Sequence, residues 1–365
     1  MTCFFYAQKG VYMIEQYRVY DRQTLAYIDG GIIRDYSIDT DYISNNASTV
    51  TLVEETQAKK GDIIVGLSGI NKTFIGAIIA VDNTKKQISF KHPKELFADT
   101  VINPFKYTGT LGYKFELIGG METILRLAFI TTDDARKILP LVIEKRGVAS
   151  GAVWTDDSDT LSIADFIAWA FDSYNVYLDF DIDFAENKMV CRIVKNITTG
   201  YVIKDNIKLS VPTFDKNELP NHNKAVIYNK DTGAILGTYY LLSNNTITTS
   251  SNNANRLLPV QTKYVAFEAD KGYTPQELAV SELQGNIYNH CILYKLSKEQ
   301  RLVNPFSFKY GDGVSIVYKD REYSSIFTGL KYTKGEPYIT CIFGKTRIDF
   351  TDRLKQYIDK RYRKK

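Results

Sequence analysis

"KKGDIIVGLSG" (Lys59–Gly69) and "KYGDGVSIVY" (Lys309–Tyr318) decide the reading of the fold. Each places a Lys two residues before a Gly-Asp pair, and a short β-like run follows. The surroundings repeat as well. After Gly61-Asp62 come a β run, a polar tip, "FIGAII" with Gly76, a turn and "ISFK". After Gly311-Asp312 come a β run, the polar tip "KDREY", "FTGLKY" with Gly329, the turn "TKGEP" and "ITCIFGK". A further strand-like segment precedes each block, "TVTLVEE" and "NPFSFKY". The order of elements matches at low identity, which predicts two small barrels of one kind in one chain.

Three readings of the Gly-Asp pairs compete. A phosphate-binding loop needs G-x-x-x-x-G-K-[ST] running into a helix, and both pairs run into strands. A calcium loop needs several carboxylates in one short segment, and each pair has one Asp. A tight turn, with Gly at positive φ and Asp bonded to nearby backbone, fits both. Gly61, Asp62, Gly76, Gly311, Asp312 and Gly329 are therefore expected to be structural positions of a repeated barrel.

The rest of the chain extends this pattern. Its 365 residues allow two or three domains, and 26 Tyr and 19 Phe favour strands. The expected fold class is mainly β with α+β insertions: two similar small antiparallel β-barrels joined by an α+β domain. Residues 1–13 read as an N-terminal extension, since Met13 opens "MIEQYRVYDRQ" like a natural start. The first barrel is expected over 14–107, where short strands alternate with Gly, Asn and Asp turns. An α+β domain follows over 108–204. It contains a helix at "TLSIADFIAWAFDSYN" capped by Ser162 with Asp165, a helix start at "TTDDARKIL" with Thr132 as cap, and a hairpin turning at 185–188. The second barrel is expected over 205–346. It includes a hairpin turning at 231–233, and an inserted loop and helix at about 243–289. That insertion comprises the polar stretch "SNNTITTSSNNAN" and a helix with Thr274, Pro275 and Glu277 as start signals. A basic helix or tail closes the chain over 347–365.

Chemistry is sparse. The formal charge of +4 is too small to argue for nucleic-acid binding by the whole chain. Its basic excess in "RLKQYIDKRYRKK" reads as a solvated tail or as an anchor to an acidic partner or nucleic acid. Cys3, Cys191, Cys291 and Cys341 form no CxxC pair and have no His at ligand spacing, so free buried thiols are expected. No apolar run is long enough to span a bilayer. His92, His222 and His290 carry no nucleophile or metalloprotease motif. "DFDIDF" sets Asp179, Asp181 and Asp183 on one strand face, against Leu178, Phe180, Ile182 and Phe184 on the other. That face reads as a wet strand surface, with a divalent-metal site or a glycosidase carboxylate pair as the functional alternative. The expectation is no catalytic residue, no metal, no cofactor and no enzyme activity.

The layout resembles the hub family of phage baseplates and tail tips. That family includes the central hub of contractile tails, the hub part of VgrG spike proteins and the N-terminal structural region of tail-associated lysin (Tal) proteins. The likeness lies in "KKGDIIVGLSGINKTFIGAIIAVDNTKKQISF" and "KYGDGVSIVYKDREYSSIFTGLKYTKGEPYITCIFGK", and covers roughly residues 14–346. The resemblance implies a homotrimer whose six barrels match a hexameric tail tube and close or gate the channel for DNA release. It implies a distal tail protein or tube ring as partner, with tape-measure and receptor-binding or tip proteins as further neighbours. DNA would pass only in transit, without sequence recognition. It also implies a place at the distal end of the virion tail after synthesis in the host cytoplasm. Many Tal proteins continue into a cell-wall hydrolase; here about 20 residues follow the second barrel, so no hydrolase domain is expected. The alternatives are another tail component such as a distal tail protein, and a carbohydrate-binding or hydrolysing module using the Asp179–Asp183 face.

Overall fold

A computed structural model describes residues 14–102, 113–154, 160–196, 200–203, 215–218, 222–298, 303–318 and 321–347. The expected N-terminal extension and the basic C-terminal helix lie outside these residues, apart from Arg347 in the second. The chain is mainly β with few helices.

Six strands form the first unit: β1 (Gln16–Tyr20), β2 (Tyr27–Asp39), β3 (Ser48–Leu52), β4 (Ile63–Ser68), β5 (Asn71–Asp82) and β6 (Gln87–Lys91). Their spatial order is β1-β4-β5-β6-β3-β2, and β2 pairs back onto β1. All these pairings are antiparallel, so the barrel is closed and its own strands leave no open end. In "STVTL" alternate residues point inward and are buried, as a half-buried strand requires. "IIVGLS" is apolar without alternation because both its faces are covered: Ile64 enters the barrel core, while Ile63, Val65 and Leu67 join a neighbouring core. Gly66 makes room for the Phe74 ring, which stacks on Phe90 at 4.6 Å inside the barrel.

The neighbouring core belongs to the middle of the chain. Here lie β7 (Val101–Ile102), β8 (Lys114–Phe115), α1 (Leu117–Phe129), β9 (Leu141–Arg146), β10 (Ala152–Val153), β11 (Leu161–Ser162), α2 (Ile163–Tyr174), β12 (Val176–Asp183) and β13 (Lys188–Lys195). The sheet β12-β13-β9 joins an antiparallel hairpin to a parallel strand. Asp183 turns that hairpin by accepting from the Ala185 and Glu186 amides. Ser162 caps α2 by accepting from the Asp165 amide, and Ile163, Phe166, Ile167, Ala170 and Phe171 are buried. One expectation is corrected: no helix starts at Thr132. The helix is α1, upstream, where the Glu116 carboxylate accepts from the Ile118 and Gly119 amides. Thr132 instead closes a turn with Asp134, and the Leu139 amide folds back to the Phe129 carbonyl. Pro140 disfavours a helical Leu139, so "DARKIL" has no room to continue as a helix.

The last third holds β14 (Tyr201–Ile203), β15 (Asp215–Glu218), β16 (Lys224–Asn229), β17 (Ile235–Leu241), β18 (Ile247–Thr248), β19 (Thr262–Phe267), α3 (Pro275–Leu283), β20 (His290–Ser297), β21 (Gly313–Tyr318), β22 (Arg321–Thr333) and β23 (Tyr338–Phe343). The hairpin expected within the second barrel lies outside that barrel's strands. β16 and β17 instead join β18 and β19 in a separate four-stranded sheet, ordered β18-β17-β16-β19. That sheet packs on α3 through Ala225, Ile227, Leu241, Leu278 and Leu283, so it has a core of its own. The polar stretch after Ser243 is tied in place: Leu242 bridges Arg256, and the Asn245 carboxamide accepts from the Gly285 amide.

The six remaining strands run β14-β21-β22-β23-β20-β15 in space. Numbered one to six along the chain, both sets read 1-4-5-6-3-2. The second differs in two respects. Its first strand meets its fourth in parallel, where β1 meets β4 antiparallel, and no β14–β15 ladder closes it among the described residues. The two sets meet where Ser37–Asp39 of β2 pairs with Lys331–Thr333 of β22, and one hydrophobic core runs through both.

Candidate functional site at the paired turns and the seam

Both Gly-Asp turns are built by the same four hydrogen bonds. Gly61 N–H donates to Ile78 O (2.8 Å), Asp62 N–H to Lys59 O (3.1 Å), and Ile78 N–H to Asp62 O (2.8 Å). The Asp62 carboxylate accepts from Lys59 N–H at 2.8 Å. In the second turn Gly311 N–H donates to Phe327 O (2.8 Å), Asp312 N–H to Lys309 O (3.0 Å), and Phe327 N–H to Asp312 O (2.8 Å). The Asp312 carboxylate accepts from Lys309 N–H at 2.7 Å. Gly61 and Gly311 sit at φ +96° and +77°, where a side chain is disfavoured. Both Asp residues are buried, which leaves neither turn open as an ion site.

The equivalence continues into the next hairpin. Ile78 faces Phe90 and Phe327 faces Phe343, and one residue bulges immediately afterwards in both β5 and β22. Two bulges at one register bend both strands at the same place. The register also corrects one expectation. Gly76 faces Ile64, two residues after Asp62; the residue facing Val314, two after Asp312, is Ser325. Gly329 lies beyond the bulge and matches Ala80. Gly76 and Gly329 are thus not counterparts, and each is small for its own reason. A Cβ on Gly76 would strike the Phe90 ring, and one on Gly329 would strike the Asp41 backbone across the seam.

Around Asp41 the two strand sets are clamped together. Asp41 is buried, and the Arg347 guanidinium grips it bidentately, Nε to Oδ2 at 2.6 Å and Nη2 to Oδ1 at 2.7 Å. Arg347 also donates to the Thr328 hydroxyl and to the Gly344 and Thr346 carbonyls. Burial alone would raise the Asp41 pKa, but the Arg347 hydrogen bonds and charge bring it below the ordinary carboxylate value. Beside it, Tyr42 accepts from the Leu178 amide at 3.0 Å and packs on Phe171 and Tyr310. Lys94 lies over the Tyr42 ring and donates to the Tyr42 carbonyl; burial lowers its pKa to about 8. His92, which caps the turn after β6, is held neutral, its pKa pushed well below the ordinary value by burial and by the Lys94 charge.

Lys345 ties the seam to α2. Its ammonium donates to the Phe171 carbonyl at 3.0 Å and to the Asp172 carbonyl, at the helix C-terminus where cations are favoured. Burial lowers its pKa to about 7. A polar cleft of about 410 Å³ opens nearby, lined by Asp172, His222, Glu282, Asn286 and Lys345 among others.

The Asp face of β12 is occupied by cations. Arg192 bridges Asp179, Asp181 and Glu144, and Lys72 of the barrel reaches Asp181. Among the described residues no group of three or more His, Cys, Asp or Glu side chains is placed to hold a metal ion. The three histidines are far apart in role: His92 caps a turn, His222 lies in an exposed loop, and buried His290 sits 2.8 Å from the Ser325 hydroxyl. Cys191, Cys291 and Cys341 are buried and form no disulfide. The Asp41–Arg347 clamp was not read from the sequence. Its members lie 306 positions apart, and only the preference of Arg for bidentate carboxylate pairing could have suggested it.

No family model matches the chain, and no curated protein matches it by sequence. Solved structures share its fold. The prophage tail protein gp18 from Listeria monocytogenes EGD-e superposes with a TM-score of 0.55 at 12% identity, covering 94% of this chain and 98% of that one. The tail protein from Neisseria meningitidis MC58 gives 0.52 at 8% identity, covering 90% and 96%. The 43 kDa tail protein of prophage MuSo2 from Shewanella oneidensis gives 0.52 at 10%, covering 91% and 98%. The chain therefore has a fold found in phage tail and baseplate proteins. The likeness spans nearly the whole of each molecule.

Proposed function

We propose that this chain is a structural hub of a phage tail tip or baseplate, acting as a homotrimer without enzymatic activity. The observation that carries the reading is the internal repeat. Two strand sets of one spatial order, with matched Gly-Asp turns and matched bulges, lie side by side in one chain. Three such chains present six similar lobes, and six lobes fit the end of a hexameric tail tube while offering threefold symmetry to a tip. The distal tail protein or a tube ring is the partner on one side, with tape-measure and receptor-binding or tip proteins as further neighbours. The hub closes or gates the channel at the distal end of the virion tail, and DNA passes without sequence recognition. The tail-protein fold neighbours support the same class.

Mass measured in solution and electron-microscopy class averages test the proposal. A trimer with a ring of six β lobes is expected. A chain that remains monomeric at high concentration overturns it, and a hexamer turns the reading toward a distal tail protein. A sugar-binding role for the Asp179–Asp183 face is disfavoured because Arg192 and Lys72 already pair with Asp179 and Asp181.

A further inference from the structure

Among the described residues, the seam between the two strand sets is filled on one set and uncovered by any strand at the matching place on the other. Beyond Phe327, the edge of β22 that faces away from β23 is covered by the end of β2. Tyr42 N–H donates to Thr328 O, Thr40 N–H to Leu330 O, and Asp39 faces Lys331 with an ion pair at 3.0 Å. Thr328 and Leu330 are consequently buried. By the shared register, the counterparts of Thr328–Lys331 are residues 79–82 of β5. β4 stops pairing at Ala77, and past the Ile78–Asp62 bonds no strand covers that edge among the described residues. Ala80 there is exposed, where its counterpart Gly329 is packed against Asp41.

The complementary edge has no strand on it among the described residues either. β15 is the counterpart of the part of β2 that makes the seam. Asp215–Asn217 match Ser37–Asp39, because Leu293 and Thr49 occupy the same place relative to Phe343 and Phe90. Yet β15 ends the sheet, paired only to β20 among the described residues. Among the described residues, one molecule thus carries one completed seam, one acceptor edge without a strand and one donor edge without a strand. An unpaired edge is a template for a strand from another chain.

We infer that the edge of β5 at residues 79–82 receives β15 of a second copy, in the register of the internal seam, with Asp82 opposite Asn217. This rests on the hub reading and names the surface that closes the ring. Donor and acceptor are different patches, so the contact is heterologous, and it closes after three copies when the internal and intermolecular seams each turn by a sixth of a circle.

The test is a cysteine pair, Asp82→Cys with Asn217→Cys, oxidised in the assembled full-length protein and run under non-reducing denaturing conditions. Covalent trimers are expected from the double variant. Covalent trimers absent from either single variant would tie the bond to this pair. A native trimer that yields no interchain bond from the double variant overturns the register and leaves the hub reading standing. A monomeric unmodified chain overturns the hub reading and this contact with it.

Discussion

Asp41 shows how much rests on single side chains. It carries a buried charge matched by one half-buried guanidinium, so Asp41→Ala leaves Arg347 without its counter-charge at a cost of at most about 3–5 kcal/mol. Chemical denaturation should show that loss. The double variant Asp41→Leu, Arg347→Met should lose less than the two single changes summed, since the second change removes the stranded charge. The Asp turns are worth less: Asp62→Ala removes one acceptor from a backbone amide, about 1 kcal/mol by urea midpoint, and Asp312→Ala, which also removes the acceptor of the Asn196 carboxamide, should cost more than Asp62→Ala. Lys345 sets a pH dependence. Its folded pKa is about 7 and its unfolded value is near 10.4, so the unfolded chain binds more protons between them. Stability should rise with pH from about 7 toward 10 on this account, and Lys345→Met should flatten that slope in denaturation curves taken across the window.

At the scale of elements, the capping box of α3 is complete: Thr274 accepts from the Glu277 amide and Glu277 returns to the Thr274 amide. Thr274→Ala should destabilise the inserted sheet-and-helix unit by about 1 kcal/mol, read as faster amide exchange in β16, β17 and α3 than in the barrel strands. This helix and α2 were legible in the sequence because cap and apolar spacing agreed. α1 was not: its first turn contains Gly119 and Gly120, poor helix formers, and its cap is a Glu instead of Ser, Thr, Asp or Asn. The Gly-Asp turns were legible because a positive-φ Gly followed by a bonding Asp is a local device. Gly76 and Gly329 look alike in sequence but lie on opposite sides of the shared bulge, and a bulge has no reliable mark in sequence. The same limit hid the sheet membership of β16 and β17. Alternation shows that a strand has two faces, but not which neighbour pairs with its edges.

For the whole molecule, the two six-stranded sets and the middle sheet are not independent. β4 serves two cores, Lys72 of the barrel pairs with Asp181 of the middle sheet, and Lys345 beyond β23 caps α2. Denaturant unfolding of the two six-stranded sets should therefore be a single transition, followed by fluorescence of the buried tyrosines and by backbone signal together. Separate transitions for the two sets would show that the shared core is weaker than its burial implies. The inserted sheet, with its own apolar cluster, is the part expected to loosen first.

The seam also imposes a timetable on synthesis. β2 emerges early from the ribosome, but the strand that covers its end and the arginine that clamps Asp41 come about 300 residues later. At 5–20 residues per second, that is an interval of roughly 15–60 s during which an unfinished barrel displays a bare strand end. A nascent chain in that state displays an unpaired strand edge, so premature pairing between polysomal neighbours is the hazard. Chains interrupted before Arg347 should accordingly be found in aggregates or bound to chaperones.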